Sequence, residues 1–231
     1  MIHIEDVCLT IGRPLLKNVS LKIPEGCLYG LVGPGASGKS VLLKVVAGLI
    51  SPQSGGVQIN GQQLVGMTDL ELATVRRRVG MLFQNNALFD FMNVAENVAF
   101  PLRRLFDLSE DEIQRRVSAQ LTRVGLGGFE TRMPAGLSGG QKKRVGVARA
   151  TVTGGSIVIY DEPAAGLDPV SSQKVFDLLR EEQQSAGATV LMVSSDIDRL
   201  LSDECKDGVR AAEGDHRREG EEQRELCEHV L

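Results

Sequence analysis

The sequence has 231 residues, enough for one large domain or a domain of two parts. Hydrophobic residues make up 42% and charged residues 24%, as in a globular protein, and no apolar run approaches the roughly 20 residues of a bilayer-spanning helix. The net charge of −4 argues against nucleic acid as a partner. Because the four cysteines form no CxxC pair, we expect neither disulfides nor a zinc site. The first residues include acids where a secretion signal carries basic residues, so we expect no such signal.

Short apolar runs alternate with helical patterns along the chain, which predicts an α/β fold with a mainly parallel sheet. Residues 2–9 and 57–60 alternate or lie beside Gly and Pro, which is typical of an antiparallel flanking sheet. Residues 28–33, 156–162 and 188–195 are almost continuously apolar, as strands covered on both faces must be. We therefore predict that these three runs are central strands.

Between about residues 84 and 153 the strand signals give way to helical patterns, which predicts a helical subdomain inserted into a core of residues 1–83 and 154–202. Ser109 and Glu112 predict a capping box that starts a helix ending near Val124. Four phenylalanines crowd into the same stretch, where they form either ordinary core or a groove for a partner. They are Phe83, Phe89, Phe91 and Phe100.

The last residues, 203–231, differ from the rest because they hold ten acids against five Lys or Arg. Few of them are apolar, so we predict an acidic tail that is divergent, poorly ordered or a solvated helix. No further strand of the sheet is expected after Leu201.

A glycine-rich loop lies between the apolar run 28–33 and a predicted helix starting near Lys39. Its sequence, GPGASGKS at residues 33–40, matches GxxxxGK[ST], whose backbone N–H groups converge on phosphate at a helix N-terminus. Lys39 would reach the β and γ phosphates, and Ser40 would offer a hydroxyl to Mg²⁺. A dinucleotide site of the GxGxxG type is the alternative, but it needs an acid that residues 41–68 lack.

The apolar run 156–162 ends in Asp161 and Glu162, two carboxylates that would repel each other without a cation. Asp161 holding Mg²⁺ and Glu162 polarising a water would resolve the repulsion. Farther upstream, Leu137–Ser138–Gly139–Gly140–Gln141 precedes a basic helical stretch, with Ser138 as its N-cap. This turn is either an ordinary capped helix or a second anion site for the nucleotide of another chain.

Three motifs in this order, GPGASGKS, LSGGQ and IVIYDEP, resemble those of the ATP-binding subunits of ABC transporters, and the likeness covers residues 1–202. The resemblance implies a P-loop NTPase (RecA-like) fold, ATP and Mg²⁺ as ligands, and integral-membrane permease partners. It also implies a homodimer or pseudo-dimer that encloses two ATP molecules.

The resemblance also implies roles for individual residues. Phosphate binding falls to Gly33, Gly35, Ala36, Ser37, Gly38, Lys39, Ser40 and Val41. The metal would be held by Ser40, Gln84 and Asp161, with Glu162 as the general base. Ser138 and Gly140 would meet the γ-phosphate across the dimer, and Asp168 would link the two sites.

Residues 80–103 and 133–150 are similar to the ATPases of Mla-type systems, which work with MCE proteins to move phospholipids between bacterial membranes. This likeness implies a peripheral protein on the cytoplasmic face of the bacterial inner membrane. An ABC ATPase of DNA repair or translation is a weaker interpretation, because 231 residues leave no space for paired cassettes or coiled-coil insertions.

Two positions depart from the family pattern. Ser195 stands where relatives carry a histidine that contacts the γ-phosphate, which predicts slow ATP hydrolysis. The alternative function is a regulatory clamp that dimerises when ATP binds and hydrolyses little of it. Ile11 stands near the place of an aromatic residue that stacks on adenine, which predicts weak discrimination between ATP and GTP.

Overall fold

The computed structural model describes residues 1–33 and 35–194, together with the backbone of residues 209–213. The strands in this part of the chain are β1 (Ile2–Ile11), β2 (Arg13–Ile23), β3 (Leu28–Val32), β4 (Ser54–Ile59), β5 (Gln62–Gln63), β6 (Val79–Leu82), β7 (Ile157–Asp161), β8 (Thr189–Ser194) and β9 (Val209–Glu213). The helices are α1 (Lys39–Val46), α2 (Asp69–Arg76), α3 (Val94–Leu105), α4 (Glu110–Arg123), α5 (Gly139–Thr151) and α6 (Pro169–Ala186).

The chain forms two compact units. Unit 1 comprises Met1–Arg76 and Ala188–Leu231, and unit 2 comprises Arg77–Gly187. The predicted helical stretch 84–153 falls inside unit 2 and contains α3, α4 and α5. Among the helices described, none has both the length and the apolarity needed to cross a bilayer.

Unit 1 contains the predicted antiparallel sheet, in the order β2-β1-β4-β5. Ile2 of β1 pairs with Ile23 of β2 on one side and with Ile59 of β4 on the other. All three isoleucines are buried, because directly paired residues of neighbouring strands point to the same face of the sheet.

Unit 1 also contains three parallel strands with β3 in the middle. Leu28 to Val32 pair with Val190 to Ser194 of β8 and with Val209 to Glu213 of β9. Every residue of β3 and β8 is buried, which confirms both predicted central strands. The prediction that no strand follows Leu201 is wrong: β9 occupies the second edge of β3, and backbone pairing there does not require an apolar run.

Unit 2 contains the parallel pair β6 and β7, whose register runs from Val79 opposite Ile157 to Leu82 opposite Tyr160. Helix α5 packs against β6 at two glycines. A Cβ atom on Gly80 would lie 1.9 Å from the carbonyl oxygen of Ala150, and one on Gly146 would lie 2.4 Å from a methyl of Leu82. Because both positions lack side chains, the helix approaches the strand closely.

The helix predicted to end near Val124 is confirmed as α4, but its capping box is only half formed. The Ser109 hydroxyl accepts a hydrogen bond from the N–H of Glu112 at 3.3 Å. The Glu112 carboxylate does not turn back to the cap, because it binds the guanidinium groups of Arg115 and Arg116. Two full charges outcompete one backbone N–H for this carboxylate.

Candidate functional site

The glycine-rich loop of unit 1 connects the buried strand β3 to helix α1. Gly38 caps the helix with a φ of 95°, and a Cβ atom there would lie 2.5 Å from the carbonyl oxygen of Leu15. The position therefore requires glycine for both its backbone conformation and its space. Lys39 folds back over the loop, where its ammonium donates to the Gly33 carbonyl at 2.6 Å and to the Ser37 hydroxyl at 3.4 Å.

The loop holds most of the predicted phosphate-binding residues, and its neighbour Val41 lies in the first turn of α1. Ile11, the predicted base-stacking residue, ends β1 with 56% of its surface exposed. An exposed isoleucine offers an apolar contact but no aromatic ring. Ser195, predicted to replace the family histidine, lies outside the described residues.

The two predicted acids of unit 2 lie at the carboxyl end of β7, which confirms this central strand. Asp161 is buried with 3% of its surface exposed, whereas Glu162 is half-buried and has left-handed backbone with a φ of 49°. Left-handed backbone is unfavourable for a residue with a side chain, so the surroundings must hold Glu162 in place.

A buried cation, Lys143 of α5, lies against this strand end with only 4% of its surface exposed. Its ammonium donates to the Gln84 carbonyl at 2.6 Å and to the Glu162 carbonyl at 3.2 Å. Burial lowers the pKa of Lys143, and the nearby charges of Glu162 and Asp161 act in the opposite direction. Lys143 thus places a positive charge of the protein's own beside the two acids.

Gln84 lies in a loop after β6 that contains two consecutive non-glycine residues with left-handed backbone. Asn86 has a φ of 60° and Ala87 a φ of 48°. Arg149 of α5 donates to the carbonyl of Asn86 and, at 2.7 Å, to that of Ala87. Burial lowers the pKa of Arg149. The loop that carries Gln84 is therefore held through its carbonyls by two cations of one helix.

The serine turn predicted as a second anion site begins α5 with a complete capping box. The Ser138 hydroxyl accepts from the N–H of Gln141 at 3.3 Å, and the Gln141 side chain accepts from the N–H of Ser138 at 2.9 Å. Ser138 and Gly139 are exposed, and a Cβ atom on Gly140 would meet no atom within 4 Å. The turn is thus rigid and open to solvent.

Asp168, predicted to link two sites across a dimer, is the N-cap of α6. Its carboxylate accepts from the N–H of Ser171 at 3.0 Å, and hydrogen bonds from the Ser171 hydroxyl and then from this N–H lower the pKa of Asp168. The local role of the residue is therefore to start a helix.

Three of the crowded phenylalanines of unit 2, Phe83, Phe89 and Phe100, border a cavity of about 320 Å³ lined mainly by apolar side chains. Phe89 contacts the rings of Phe91 and Phe100, with centroids 5.7 and 4.8 Å away. Phe91 remains 76% exposed. Of the two interpretations left open by the sequence, this exposure favours a groove over ordinary core.

Sequence reasoning noted Lys143 and Arg149 as part of a basic helix but missed their role at the strand ends. The sequence does indicate the position of Lys143. Its spacing of three, four and seven residues from three small or apolar residues places it on their face of the helix. Those residues are Gly146, Val147 and Ala150. All four residues are buried. A lysine on the apolar face of a helix indicates a buried charge with polar partners.

The sequence profile described as ABC transporter matches residues 16–165. MlaF of Escherichia coli K12, an intermembrane phospholipid transport system ATP-binding protein, is 37% identical over 203 residues, which are 87% of this chain and 76% of MlaF. The methionine import ATP-binding protein MetN 1 of Salmonella typhimurium is 40% identical over 79% of this chain. TRIGALACTOSYLDIACYLGLYCEROL 3 of Arabidopsis thaliana is 42% identical over 78% of this chain. The chain spans about half of these last two proteins, 53% and 54% of their lengths.

Solved structures agree with the sequence comparisons. A dimeric structure of MJ0796, a bacterial ABC transporter cassette, has a TM-score of 0.82 at 31% identity, covering 92% of this chain and 94% of that one. A post-hydrolysis dimer of the same cassette bound to ADP and Pi has a TM-score of 0.80 at 33% identity, covering 86% and 90%. The predicted P-loop NTPase fold is confirmed, and the chain belongs to the ABC transporter family of ATP-binding proteins.

Proposed function

We propose that the chain binds and hydrolyses MgATP as the ATP-binding subunit of a bacterial ABC transporter. The observation that carries the proposal is the loop of residues 33–40, where a buried strand, a required glycine at Gly38 and the folded-back Lys39 meet at the start of a helix. This arrangement turns backbone N–H groups and one ammonium toward a phosphate chain.

The residues proposed to hold Mg²⁺ fit that ion by their chemistry, because Ser40, Asp161 and Gln84 offer hydroxyl, carboxylate and amide oxygens. When bound, Mg²⁺ would supply positive charge that neutralises the charge developing on the phosphate oxygens. Glu162 acts as the general base that takes a proton from the attacking water. Lys39 and the N–H groups of its loop hold the phosphates in position.

Dimerisation completes the proposed mechanism. Ser138 and Gly140 of one copy bind the γ-phosphate of ATP held by the other copy, and Asp168 connects the two sites. The dimeric structures of MJ0796 support this assembly. The exposure of the turn at Ser138 also supports it, because a solvent-facing helix start can receive a second chain.

We also propose a permease partner at the phenylalanine groove of unit 2 and phospholipid as the cargo. Exposed Phe91 and Phe100 offer an apolar contact for a membrane subunit. MlaF supports the phospholipid cargo, because the likeness spans 87% of this chain and 76% of MlaF. An MCE protein would take part indirectly, and the chain would lie peripherally on the cytoplasmic face of the inner membrane.

The alternative function is an ATP-gated clamp that hydrolyses little, because Ser195 replaces the family histidine. Restoring the histidine distinguishes the two. If Ser195 limits the rate, Ser195→His raises kcat by about 10²- to 10³-fold, the range for one positioned donor. An unchanged rate for Ser195→His would contradict this explanation.

Calorimetry and ATPase assays on the 231-residue chain, alone and with its copurified membrane subunits, test the main proposal. Lys39→Ala should abolish the heat of MgATP binding, whereas Lys44→Ala, a lysine of the same helix, should not. Glu162→Gln should bind ATP normally but hydrolyse it about 10² to 10⁴ times more slowly, as expected for loss of a general base. Binding by Lys39→Ala equal to that of the parent would refute the proposal.

The phospholipid cargo is tested separately, by identifying the lipids that copurify with the complex of this chain and its membrane subunits.

A further inference from the structure

Lys143 is the residue that joins the loop after β6 to the end of β7. These two strands are parallel and paired, with Leu82 opposite Tyr160. The residues that follow them therefore lie at the same edge of the sheet. Gln84 and Glu162 lie two residues and one residue beyond the respective strands. One ammonium donates to the carbonyls of both.

Both acceptors belong to the backbone. The bonds to Lys143 therefore leave the Gln84 amide and the Glu162 carboxylate available for other partners, while the main chain beneath them is fixed. This fixation matters most at Glu162, because its left-handed backbone, with a φ of 49°, is unfavourable without outside support.

The position also calls for a charge. Two backbone carbonyls and the carboxylates of Asp161 and Glu162 concentrate negative charge at this strand end. Helix α5 brings Lys143 to it on the same face that packs on β6 through Gly146. An apolar side chain could match the shape, but the Gln84 carbonyl would lose this donor and the negative charge at the strand end would lose its nearby cation.

We infer that Lys143 is a positioning residue for ATP hydrolysis: it holds the backbone at Gln84 and Glu162 so that both side chains are presented to the reaction. The inference rests on the proposed roles of those two residues. It predicts a loss in kcat with little change in the KM for ATP, because the two hydrogen bonds of Lys143 end on the backbone of Gln84 and Glu162, whereas the phosphates are proposed to be held by Lys39 and its loop.

Steady-state ATPase assays of Lys143→Met, Lys143→Arg and Lys142→Met test the inference. Lys142→Met is the matched control, because it removes the same charge from the neighbouring, half-buried position of α5. We expect Lys143→Met to lower kcat about 10- to 100-fold, the range for residues that orient a catalytic group, with KM within about 3-fold of the parent. Lys143→Arg keeps the charge and the donors and should recover at least about a third of the parental kcat. Lys142→Met should behave as the parent.

The inference is overturned if Lys143→Met keeps kcat within 3-fold of the parent, or if Lys143→Arg is as slow as Lys143→Met. Should Lys143→Met not fold, Lys143→Gln takes its place: a tenfold or greater loss in kcat at constant KM supports the inference, and a parental kcat overturns it. Glu162→Gln separates the two proposals. If Glu162→Gln is inactive while Lys143→Met is normal, only the role of Lys143 fails; if Glu162→Gln is fully active, the proposed function fails.

Discussion

The loops that follow β3 and β6 both turn through left-handed backbone, yet they are stabilised in different ways. The loop after β3 uses glycine at Gly38, where a side chain would clash with the Leu15 carbonyl, and its own Lys39 closes over it. It also carries one left-handed alanine, Ala36. The loop after β6 places Asn86 and Ala87 in the left-handed region and depends on the cations Lys143 and Arg149 of a distant helix. Glycine at a tight turn can be recognised in the sequence. Two consecutive left-handed residues with side chains need tertiary contacts to hold them, and the sequence does not show those contacts.

The largest expected effect breaks the first loop. Gly38→Ala puts a methyl group 2.5 Å from the Leu15 carbonyl in backbone that disfavours side chains, so we expect a loss of about 2–4 kcal/mol in stability together with ATP binding. Gly35→Ala in the same loop is the control, because a Cβ atom there meets nothing within 4 Å. Thermal unfolding without nucleotide measures the difference. Equal melting temperatures for the two variants would contradict the steric argument.

Breaking the second loop requires a change outside it. Arg149→Met removes two charge-assisted hydrogen bonds to the carbonyls of Asn86 and Ala87, and we expect a loss of about 2–4 kcal/mol. Arg104→Met removes an exposed charge from α3 in the same unit and should change little. Urea unfolding of both variants is the measurement. A parental midpoint for Arg149→Met would mean that the loop holds its shape without help.

A smaller effect is expected from placing glycine in the second loop, at a left-handed position like that of Gly38 in the first. Ala87→Gly relieves left-handed strain of about 1–2 kcal/mol but adds about 0.5–1 kcal/mol of unfolded-chain entropy, so we expect a net gain of up to about 1.5 kcal/mol. Ala95→Gly, at the second position of α3, has no left-handed strain to relieve and should instead lose up to about 1 kcal/mol. Chemical denaturation compares the two. A loss for Ala87→Gly as large as that for Ala95→Gly would show that Ala87 is unstrained.

The smallest effect concerns an ion pair that joins the helices beside the second loop. The hydrogen bonds from Arg103 lower the pKa of Glu110 below its usual 4.5. The charged form therefore favours the fold above the unfolded pKa, and this contribution is lost as the pH falls through the folded value. We expect Glu110→Gln to melt slightly below the parent at pH 7, with a difference that shrinks as the pH falls toward 3. A difference that stays constant across this range would argue against the pair.

Particular residues show where prediction from sequence succeeded. The runs 28–33, 156–162 and 188–195 become β3, β7 and β8, because continuous apolar sequence has to be buried on both faces. Ser138 caps its helix as predicted. The predicted hydrogen bond from the Ser109 N–H to the Glu112 carboxylate does not form, because this carboxylate instead binds Arg115 and Arg116, about one turn further along the helix.

The sequence by itself determined the family, the phosphate loop and the acidic strand end, because these depend on glycines, caps and apolar runs that act over a few residues. Only the tertiary structure decided that β9 pairs with β3 and that Lys143 joins Gln84 to Glu162. Backbone carbonyls are the same at every residue. Which of them a strand edge or a buried ammonium reaches is set by the packing of elements far apart in the chain.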